Sequence, residues 1–508
     1  MVRILNDESN VAQLLDGPDV VIALGGNDLV QSFTGGGSLI FGNLDRDYLI
    51  GQGINDTIHG GKDNDTLQST KGRSLLLGGQ DNDTIQGLNV GSDTLFGNAG
   101  EDSIVAGAPV GGTSSPLDPI LNPGGGVTAA NGNNLVGGGQ GDDTIVGGGS
   151  KDSLFGDLGN DSITAKASSI SNYLVGGGGA DTIEGGGPRD TLVGDADVDA
   201  TTAGNDILTA GPNADRVMMF GNGGNDSLSG TGDLSSLYGG QGNDTLSVSG
   251  GANGENYLAG QLGNDSLVAS SDTDTLDGGA GNDVLDLNSK AATVIAGEGN
   301  DTILGSAGGA TLLGGAGNDS LFGSTANSDV LFGEAGDDTL INTFNGEGGD
   351  GNDIVSATTL SDDVAGGSGN DFIVGFAGND TINGNSGNDR IYGQAEVDFL
   401  TGGDGADSFY YEDLTQGAIA EVITDFVSGS DKILLARSAF AGLENPLFPG
   451  AVAFTTSIAG VKGATILYDT NSKLVSYDAN GNTNGSTDAV ALFTLQSGSI
   501  TGSDFQLF

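Results

Sequence analysis

The chain has 508 residues, including 96 glycines, 57 aspartates and only 11 glutamates, and its formal net charge is −53 with neither cysteine nor tryptophan. This charge argues against binding to nucleic acid or to an anionic membrane, because the phosphates would be repelled. The lack of cysteine excludes a disulfide scaffold, and no apolar run is long enough for a transmembrane helix.

The predicted elements begin with a short N-terminal segment. Residues 1–24 are assigned to an N-terminal cap, and they are too few to form a catalytic domain. The first eight residues, MVRILNDE, contain no basic region followed by an apolar core, so no cleavable signal peptide is expected.

Residues 25–408 are predicted to be a repeat region with a period of nine residues. The segment 366–374, GGSGNDFIV, fits the pattern G-G-x-G-x-D-x-U-x, in which U is a large apolar residue. Aspartates then recur every nine residues from Asp380 to Asp407. Six residues of each repeat suit a glycine-rich turn and three suit a short strand. The predicted fold class is therefore all-β, a right-handed parallel β-roll with about 18 residues and two strands per coil.

Successive turns of such a roll lie on opposite edges, so the repeat aspartates divide into two series. The first series, called edge A, has an aspartate in almost every coil, mostly 18 to 21 residues apart. The short step from Asp338 to Asp353 is an exception. The candidate metal ligands of edge A are Asp28, Asp47, Asp65, Asp83, Asp102, Asp143, Asp161, Asp181, Asp206, Asp226, Asp244, Asp265, Asp283, Asp301, Asp319, Asp338, Asp353, Asp371, Asp389 and Asp407.

The second series, called edge B, is interrupted. Some of its turns have no aspartate, as in STKGRS at 69–74, although the apolar strand residues continue. Seven of the ten basic residues in the repeat region also lie on this edge, which indicates a roll with one continuous acidic edge. The candidate metal ligands of edge B are Asp56, Asp93, Asp152, Asp190, Asp274, Asp329, Asp380 and Asp398.

Two segments depart from the repeat. Residues 107–133 carry four of the nine prolines among many glycines and serines, and they are predicted to form an extruded surface loop. After Asp407 glycine becomes less frequent, whereas aromatic and β-branched residues become more frequent. Residues 409–508 are therefore predicted to form a β-rich C-terminal capping domain.

The stacked carboxylates need a cation. Neighbouring coils of a parallel roll lie about 4.8 Å apart, so bare carboxylates repel by about 3.5 kcal/mol per pair at an effective dielectric constant near 20. Summed along edge A, this repulsion exceeds the roughly 5–15 kcal/mol that stabilises a typical domain. Ca²⁺ suits glycine-rich turns because it accepts six to eight oxygen ligands in loose geometry. Zn²⁺ would require His or Cys, so many Ca²⁺ ions are the expected cofactor, and folding is expected to depend on them.

The motifs also resemble known families. The nonapeptides, which occupy most of the chain, resemble the RTX, or haemolysin-type, calcium-binding repeats, which implies the aspartate at the sixth repeat position as a calcium ligand. The segments VITDF at 422–426, GSDKILL at 429–435 and DFQLF at 504–508 resemble the C-terminal region of serralysin-like proteins. This second resemblance implies an uncleaved export signal, the type I secretion machinery as a partner and an extracellular destination. The overall architecture is similar to that of oscillin-type cell-surface proteins.

No catalytic constellation is found, and the chain is predicted not to be an enzyme. The single histidine, His59, cannot supply an H-E-x-x-H zinc site, and no G-x-S-x-G motif occurs. His59 is predicted to be an outward-facing strand residue. Carboxylate pairs lie almost entirely in the repeat turns, where metal binding explains them better than glycosidase-type acid–base catalysis.

The sequence thus predicts a secreted calcium-binding structural protein of the cell surface, such as a sheath, a surface layer or a motility-associated coat, which folds on Ca²⁺ binding after export. Two alternatives stay open: an adhesin or ice-binding roll, and an accessory module of a polysaccharide-modifying enzyme. Self-assembly and binding to a cell-surface polysaccharide also stay open, whereas neither nucleic acid nor membrane insertion is expected.

Overall fold

The computed structural model describes residues 2–6, 8–13, 19–87, 92–106, 133–148, 151–167, 171–196, 203–212, 214–249, 254–288, 292–305, 309–324, 329–412, 420–440, 442–443, 454–456, 464–479 and 489–508. The chain divides into two compact units, Met1–Asp274 and Thr275–Phe508. In the described ranges no helix has the length and apolarity needed to cross a membrane.

The first unit consists of short strands that alternate between two faces, with odd-numbered strands on one face and even-numbered strands on the other. Its strands are β1 Val2–Ile4, β2 Val11–Gln13, β3 Val20–Ile22, β4 Leu29–Gln31, β5 Leu39–Asn43, β6 Tyr48–Gly51, β7 Thr57–Gly61, β8 Thr66–Ser69, β9 Leu75–Gln80, β10 Thr84–Gly87, β11 Thr94–Ala99, β12 Ser103–Ala106, β13 Leu135–Gln140, β14 Thr144–Val146, β15 Ser153–Leu158, β16 Ser162–Thr164, β17 Tyr173–Gly178, β18 Thr182–Glu184, β19 Thr191–Asp195, β20 Ile207–Thr209, β21 Met218–Gly223, β22 Ser227–Thr231, β23 Ser236–Gln241, β24 Thr245–Ser249, β25 Tyr257–Leu262 and β26 Ser266–Val268.

Each strand pairs in parallel with the strand of the same face in the next coil. In β7 and β9, Thr57 lies opposite Leu75, a step of 18 residues. The predicted N-terminal cap has the same arrangement, because Val2 pairs with Val20 and Val11 pairs with Leu29. The all-β parallel β-roll predicted from the period of nine is confirmed.

A single inward-facing apolar residue per strand builds the core. In β8 the inward side chain is Leu67, which is fully buried between the outward-facing Thr66 and Gln68. Because strand side chains alternate between faces, the apolar residue at every ninth position reaches the same interior. Ile163, Leu174 and Ile183 continue this stack even where edge-B turns vary.

The second unit repeats this pattern before it changes near the C-terminus. Its elements are β27 Thr275–Ala280, β28 Val284–Asp286, β29 Thr293–Glu298, β30 Thr302–Leu304, β31 Thr311–Ala316, β32 Ser320–Phe322, β33 Val330–Ala335, β34 Thr339–Thr343, β35 Asn345–Asp350, β36 Ile354–Ala357, β37 Asp363–Ser368, β38 Phe372–Val374, β39 Thr381–Ser386, β40 Arg390–Tyr392, β41 Phe399–Thr401, β42 Ser408–Tyr411, β43 Glu421–Ile423, β44 Lys432–Leu435, β45 Phe454–Thr455, β46 Thr465–Tyr468, β47 Leu474–Asp478, β48 Val490–Leu495, the 3₁₀ turn Gly502–Asp504, and β49 Phe505–Leu507.

The parallel stacking passes through the boundary that composition suggested at residue 408. Strand β42 pairs in parallel with β44, and β44 pairs in parallel with β49. Among the residues that the structure describes, antiparallel pairing appears in β46, β47 and β48 alone. The larger side chains of this region, such as Phe440 and Phe493, pack into the core that follows the last coils.

Two sequence predictions concern single segments. Of the predicted loop at 107–133, residues 107–132 lie outside the described residues; the strands before and after it stack as neighbours, with Thr94 opposite Leu135. His59 lies on the outward face of β7, half-buried, with its ring centroid 6.2 Å from that of Phe41.

Candidate metal-binding edges

Edge A is a continuous row of hydrogen-bonded aspartates within each unit. Within a unit, the backbone N–H of one edge-A aspartate donates to Oδ1 of the aspartate in the next coil, as from Asp47 to Asp65 at 2.8 Å and from Asp161 to Asp181 at 2.7 Å. All twenty predicted edge-A aspartates lie in this row, and none is more than 3% exposed. The shortened coil also keeps the row, because Asp338 N–H donates to Asp353 Oδ1 at 2.8 Å across a bulge between Ile341 and Thr343.

In eighteen of these residues the second carboxylate oxygen is buried without a hydrogen-bond partner. Buried polar atoms are nearly always hydrogen-bonded, and an unpaired buried charge is costly. A row of such atoms on one edge therefore indicates candidate ligands for a cation. The atom is Oδ2 in Asp28, Asp47, Asp65, Asp83, Asp102, Asp143, Asp161, Asp181, Asp206, Asp226, Asp244, Asp301, Asp319, Asp338, Asp353, Asp371, Asp389 and Asp407.

Burial also disfavours the charged form of these carboxyl groups. It raises the pKa of Asp83, Asp181 and Asp226 to about 8. The hydrogen bond from the preceding aspartate's N–H opposes this rise, whereas neighbouring carboxylates add to it. Without metal, these three carboxyl groups would consequently hold protons at neutral pH, and a cation between the coils would replace them.

Glycine leaves room for such a cation beside most of these carboxylates. A β-carbon added at Gly314 would come within 2.5 Å of Asp319 Oδ2 and 2.8 Å of the Gly333 carbonyl oxygen in the next coil. Within the described ranges no three His, Cys, Asp or Glu side chains converge, so a cation here would need backbone carbonyls as well as carboxylates. This all-oxygen donor set fits Ca²⁺.

An outer row of asparagines keeps the edge-A turns in register without metal. The N–H of Asn318 donates to Oδ1 of Asn300, and the N–H of Asn300 donates to Oδ1 of Asn282, each at 2.7 Å. Asn352, Asn370 and Asn388 continue the row. The sequence analysis missed this role, although the recurring Asn-Asp dipeptide was its visible signal.

Edge B uses a different turn. Before Asp181 on edge A, Gly177 and Gly179 have φ of +123° and +122°. Before Asp190 on edge B, the positive φ instead falls on Arg189, at +62°. In this second turn the N–H groups of Gly186 and Gly187 point back at Asp190 Oδ2, at 2.8 and 2.9 Å.

Most edge-B aspartates therefore serve as acceptors for their own turns. Gly53 donates to Asp56 Oδ2 at 2.9 Å, and Ser270 and Ser271 donate to Asp274 Oδ2 at 2.8 and 2.9 Å. Turn N–H groups likewise reach Oδ2 of Asp152 and of Asp329, from Gly148 and Ser324. Asp93 accepts from the Ser74 N–H through Oδ1 at 2.9 Å.

Asp380 and Asp398 are the two predicted edge-B ligands that resemble edge A. Each has a fully buried Oδ2 without a hydrogen-bond partner. Their turns also have the edge-A conformation, with positive φ at Phe376 and Gly378 before Asp380 and at Gln394 and Glu396 before Asp398.

The sequence analysis missed the aspartate that ends edge A in the second unit. Asp407 N–H donates to Asp431 Oδ1 at 3.1 Å, so Asp431 occupies the next position of the row. Its Oδ2 accepts from the Val427 N–H at 2.7 Å, which closes the row with a protein donor. Glu421 lies in the corresponding position on edge B, after Asp398.

Comparison with known families agrees with this geometry. Models of the RTX calcium-binding nonapeptide repeat match residues 34–108, 128–163, 167–218, 220–285, 295–342 and 356–413, which together exceed half of the chain. The chain belongs to the RTX calcium-binding repeat family. RTX repeats are calcium-binding, which supports Ca²⁺ as the cation that this chain binds. No curated protein matches the chain, and the similarities to serralysin-like C-terminal regions and to oscillin-type proteins stay predictions.

Proposed function

We propose that this RTX protein is a secreted structural component of the cell surface whose β-roll becomes stable when Ca²⁺ occupies edge A. One observation carries the proposal: eighteen edge-A aspartates have a buried carboxylate oxygen without a hydrogen-bond partner. The proposed ligands are the twenty edge-A aspartates together with Asp380 and Asp398.

The proposed ligand set is narrower than the one drawn from the sequence. Asp56, Asp190 and Asp274 hold turn N–H groups through Oδ2, so binding a cation would break those hydrogen bonds. We assign them, with Asp152 and Asp329, to stabilising the edge-B turns. When bound, Ca²⁺ supplies positive charge between carboxylates that otherwise repel one another.

The proposal of export rests on calcium dependence. A roll that lacks stability at low intracellular calcium stays extended, which suits passage through a narrow secretion channel, and it folds where calcium is plentiful. The RTX family assignment and the C-terminal motifs support the type I secretion machinery as the partner. We propose a structural role and no catalytic one, since the buried carboxylates occur in a repeated row rather than in one cleft.

Calcium removal tests the proposal. Circular dichroism of the full-length protein should show a strong β signal with millimolar Ca²⁺ and its loss in excess EGTA, with recovery when Ca²⁺ is restored. Mg²⁺ at the same concentration serves as the control and should not restore the signal, because it demands stricter octahedral geometry and keeps its waters. An unchanged spectrum in EGTA would contradict the proposal.

A further inference from the structure

The last coils of edge B place four acidic residues in equivalent positions. Strand residues Asp363, Thr381, Phe399 and Val422 pair in successive coils. The residues immediately before them are Asp362, Asp380, Asp398 and Glu421. Glu421 therefore occupies the place where the repeat would put its next aspartate.

The carboxylates of this row differ in their surroundings. The Oδ2 atom of Asp362 is hydrogen-bonded within its own turn, because the Thr358 N–H and hydroxyl donate to it at 2.8 and 2.9 Å. Asp380 and Asp398 instead have buried Oδ2 atoms without partners. Glu421 is only 3% exposed.

The space beside Asp398 brings it together with Glu421. A β-carbon added at Gly393 would come within 2.5 Å of Asp398 Oδ2 and 3.2 Å of Glu421 Oε1. One coil earlier, a β-carbon at Gly375 would come within 2.6 Å of Asp380 Oδ2 and 2.9 Å of the Gly393 carbonyl oxygen. Both spaces have the oxygen lining found beside the edge-A carboxylates.

The turn before Asp398 is held in an unusual conformation. Gln394 and Glu396 have φ of +74° and +76°, a region that side chains other than those of Gly, Asn and Asp rarely adopt. This is the edge-A turn conformation built without glycine at either position. Such strain persists where the surroundings require it, and it is concentrated at ligand sites.

We propose that Glu421 is a Ca²⁺ ligand that closes a short second calcium row on edge B, with Asp398 as its partner carboxylate. The inference rests on the proposed function only in that the chain binds Ca²⁺. Because β43 begins at Glu421 and pairs with β48, the ligand couples the ordering of the C-terminal antiparallel strands to calcium. The RTX nonapeptide pattern does not identify Glu421, because the last family match ends at residue 413.

The electrostatic surroundings of Glu421 and Asp398 favour the binding of a cation. Burial raises the pKa of Glu421 to about 8, an effect that the nearby Tyr411 hydroxyl opposes and the charge of Asp398 reinforces. Burial likewise raises the pKa of Asp398 to about 6. Two neighbouring buried carboxyl groups of this kind favour either a shared proton or a shared cation.

Tyr411 makes the site observable. Tb³⁺ replaces Ca²⁺ in oxygen-ligand sites and emits when a nearby tyrosine is excited, and the chain has no tryptophan to interfere. The experiment titrates full-length protein with Tb³⁺ and records tyrosine-sensitised emission for wild type, Glu421→Gln, Tyr411→Phe and the control Glu184→Gln. Glu184 is an exposed residue of β18, away from both edges.

Both test variants should lose the same component of the emission, while Glu184→Gln should match wild type. The Ca²⁺-dependent circular dichroism of all four proteins is measured in parallel. Tyr411→Phe keeps every proposed ligand and removes only the hydroxyl from a buried ring, so it remains informative even if Glu421→Gln folds poorly.

Unchanged emission from Tyr411→Phe would overturn the assignment, as would unchanged emission from a folded Glu421→Gln protein. If the circular dichroism of wild type responds to Ca²⁺ while the Tyr411 component is absent, the Glu421 site fails and the calcium-dependent roll stands. If wild type shows neither response, the proposed function itself fails.

Discussion

Asp181 and Asp190 provide a matched test of the difference between the two edges. They are nine residues apart, both follow glycine-rich turns and both are buried. Asp181 has an Oδ2 atom without a partner, whereas Asp190 Oδ2 accepts two turn N–H groups. We expect Asp181→Asn to alter the calcium dependence of stability and Asp190→Asn to alter stability alone.

The expected magnitudes follow from the contacts. Each Ca²⁺ held only by the folded chain adds about 1.4 kcal/mol to the free energy of unfolding per tenfold rise in calcium. Asp181 lies between the coils of Asp161 and Asp206 and so borders two candidate ion positions. Asp181→Asn should therefore reduce the dependence of the free energy of unfolding on calcium by the contribution of one or two ions, about 1.4–2.8 kcal/mol per tenfold change in calcium concentration.

Asp190→Asn should act differently because an amide cannot accept through both of its terminal atoms. One orientation of the amide turns its NH₂ group toward the donors of Gly186 and Gly187, and the other turns it toward the N–H of Asn172. Hydrogen bonds to a charged acceptor contribute about 1.5–3 kcal/mol each to stability. The free energy of unfolding of the variant should therefore be lower than that of wild type by roughly 2–5 kcal/mol. The loss should be the same at every calcium concentration.

Urea unfolding followed by circular dichroism, at several fixed concentrations of free Ca²⁺, measures both quantities. A plot of the free energy of unfolding against the logarithm of calcium concentration should have a reduced slope for Asp181→Asn and an unchanged slope with a lower intercept for Asp190→Asn. The reasoning is refuted if Asp190→Asn reduces the slope, or if Asp181→Asn leaves it at the wild-type value.

Two further predictions concern protons and the C-terminus. Burial raises the pKa of Asp83, Asp181, Asp206 and Asp226 in the folded chain from 3.8 to between about 6 and 8, so the metal-free roll should be most stable below about pH 4 and should lose that stability as the pH rises to about 8. In EGTA the β signal should thus increase on acidification from pH 8 to pH 4, and a decrease would contradict the burial of these groups. Deleting residues 409–508 removes Asp431, which accepts from the Asp407 N–H, and should abolish both calcium-induced folding and export. Full-length protein is the control, and a truncated chain that folds at the same calcium midpoint would count against the capping role.

The nine-residue spacing was enough to place the edge-A aspartates. In a β-strand a shift of one residue moves an apolar side chain from the interior to solvent, so Leu and Ile at every ninth position fix which residues follow the turns. Insertions and short coils did not disturb this assignment, because Asp102, Asp143 and Asp338 still lie in the row. The fold class and the edge-A register could accordingly be predicted from sequence.

The role of each aspartate depended on the tertiary structure. The turn before Asp181 begins with four glycines and the turn before Asp190 with three. The first leaves Oδ2 without a hydrogen-bond partner and the second donates to Oδ2, because the positive φ falls on different residues. Glycine permits both conformations, so the sequence alone did not distinguish a metal ligand from a turn acceptor.

Contacts after the last repeat were likewise decided by folding. Asp431 and Glu421 follow their predecessors by 24 and 23 residues, outside the regular period, and only strand pairing brings them into the two rows. The spacing of residues along the chain determined the fold of the roll because each coil pairs with the one before it. The partner of a buried oxygen was decided by backbone torsion angles and by chain segments that the repeat does not specify.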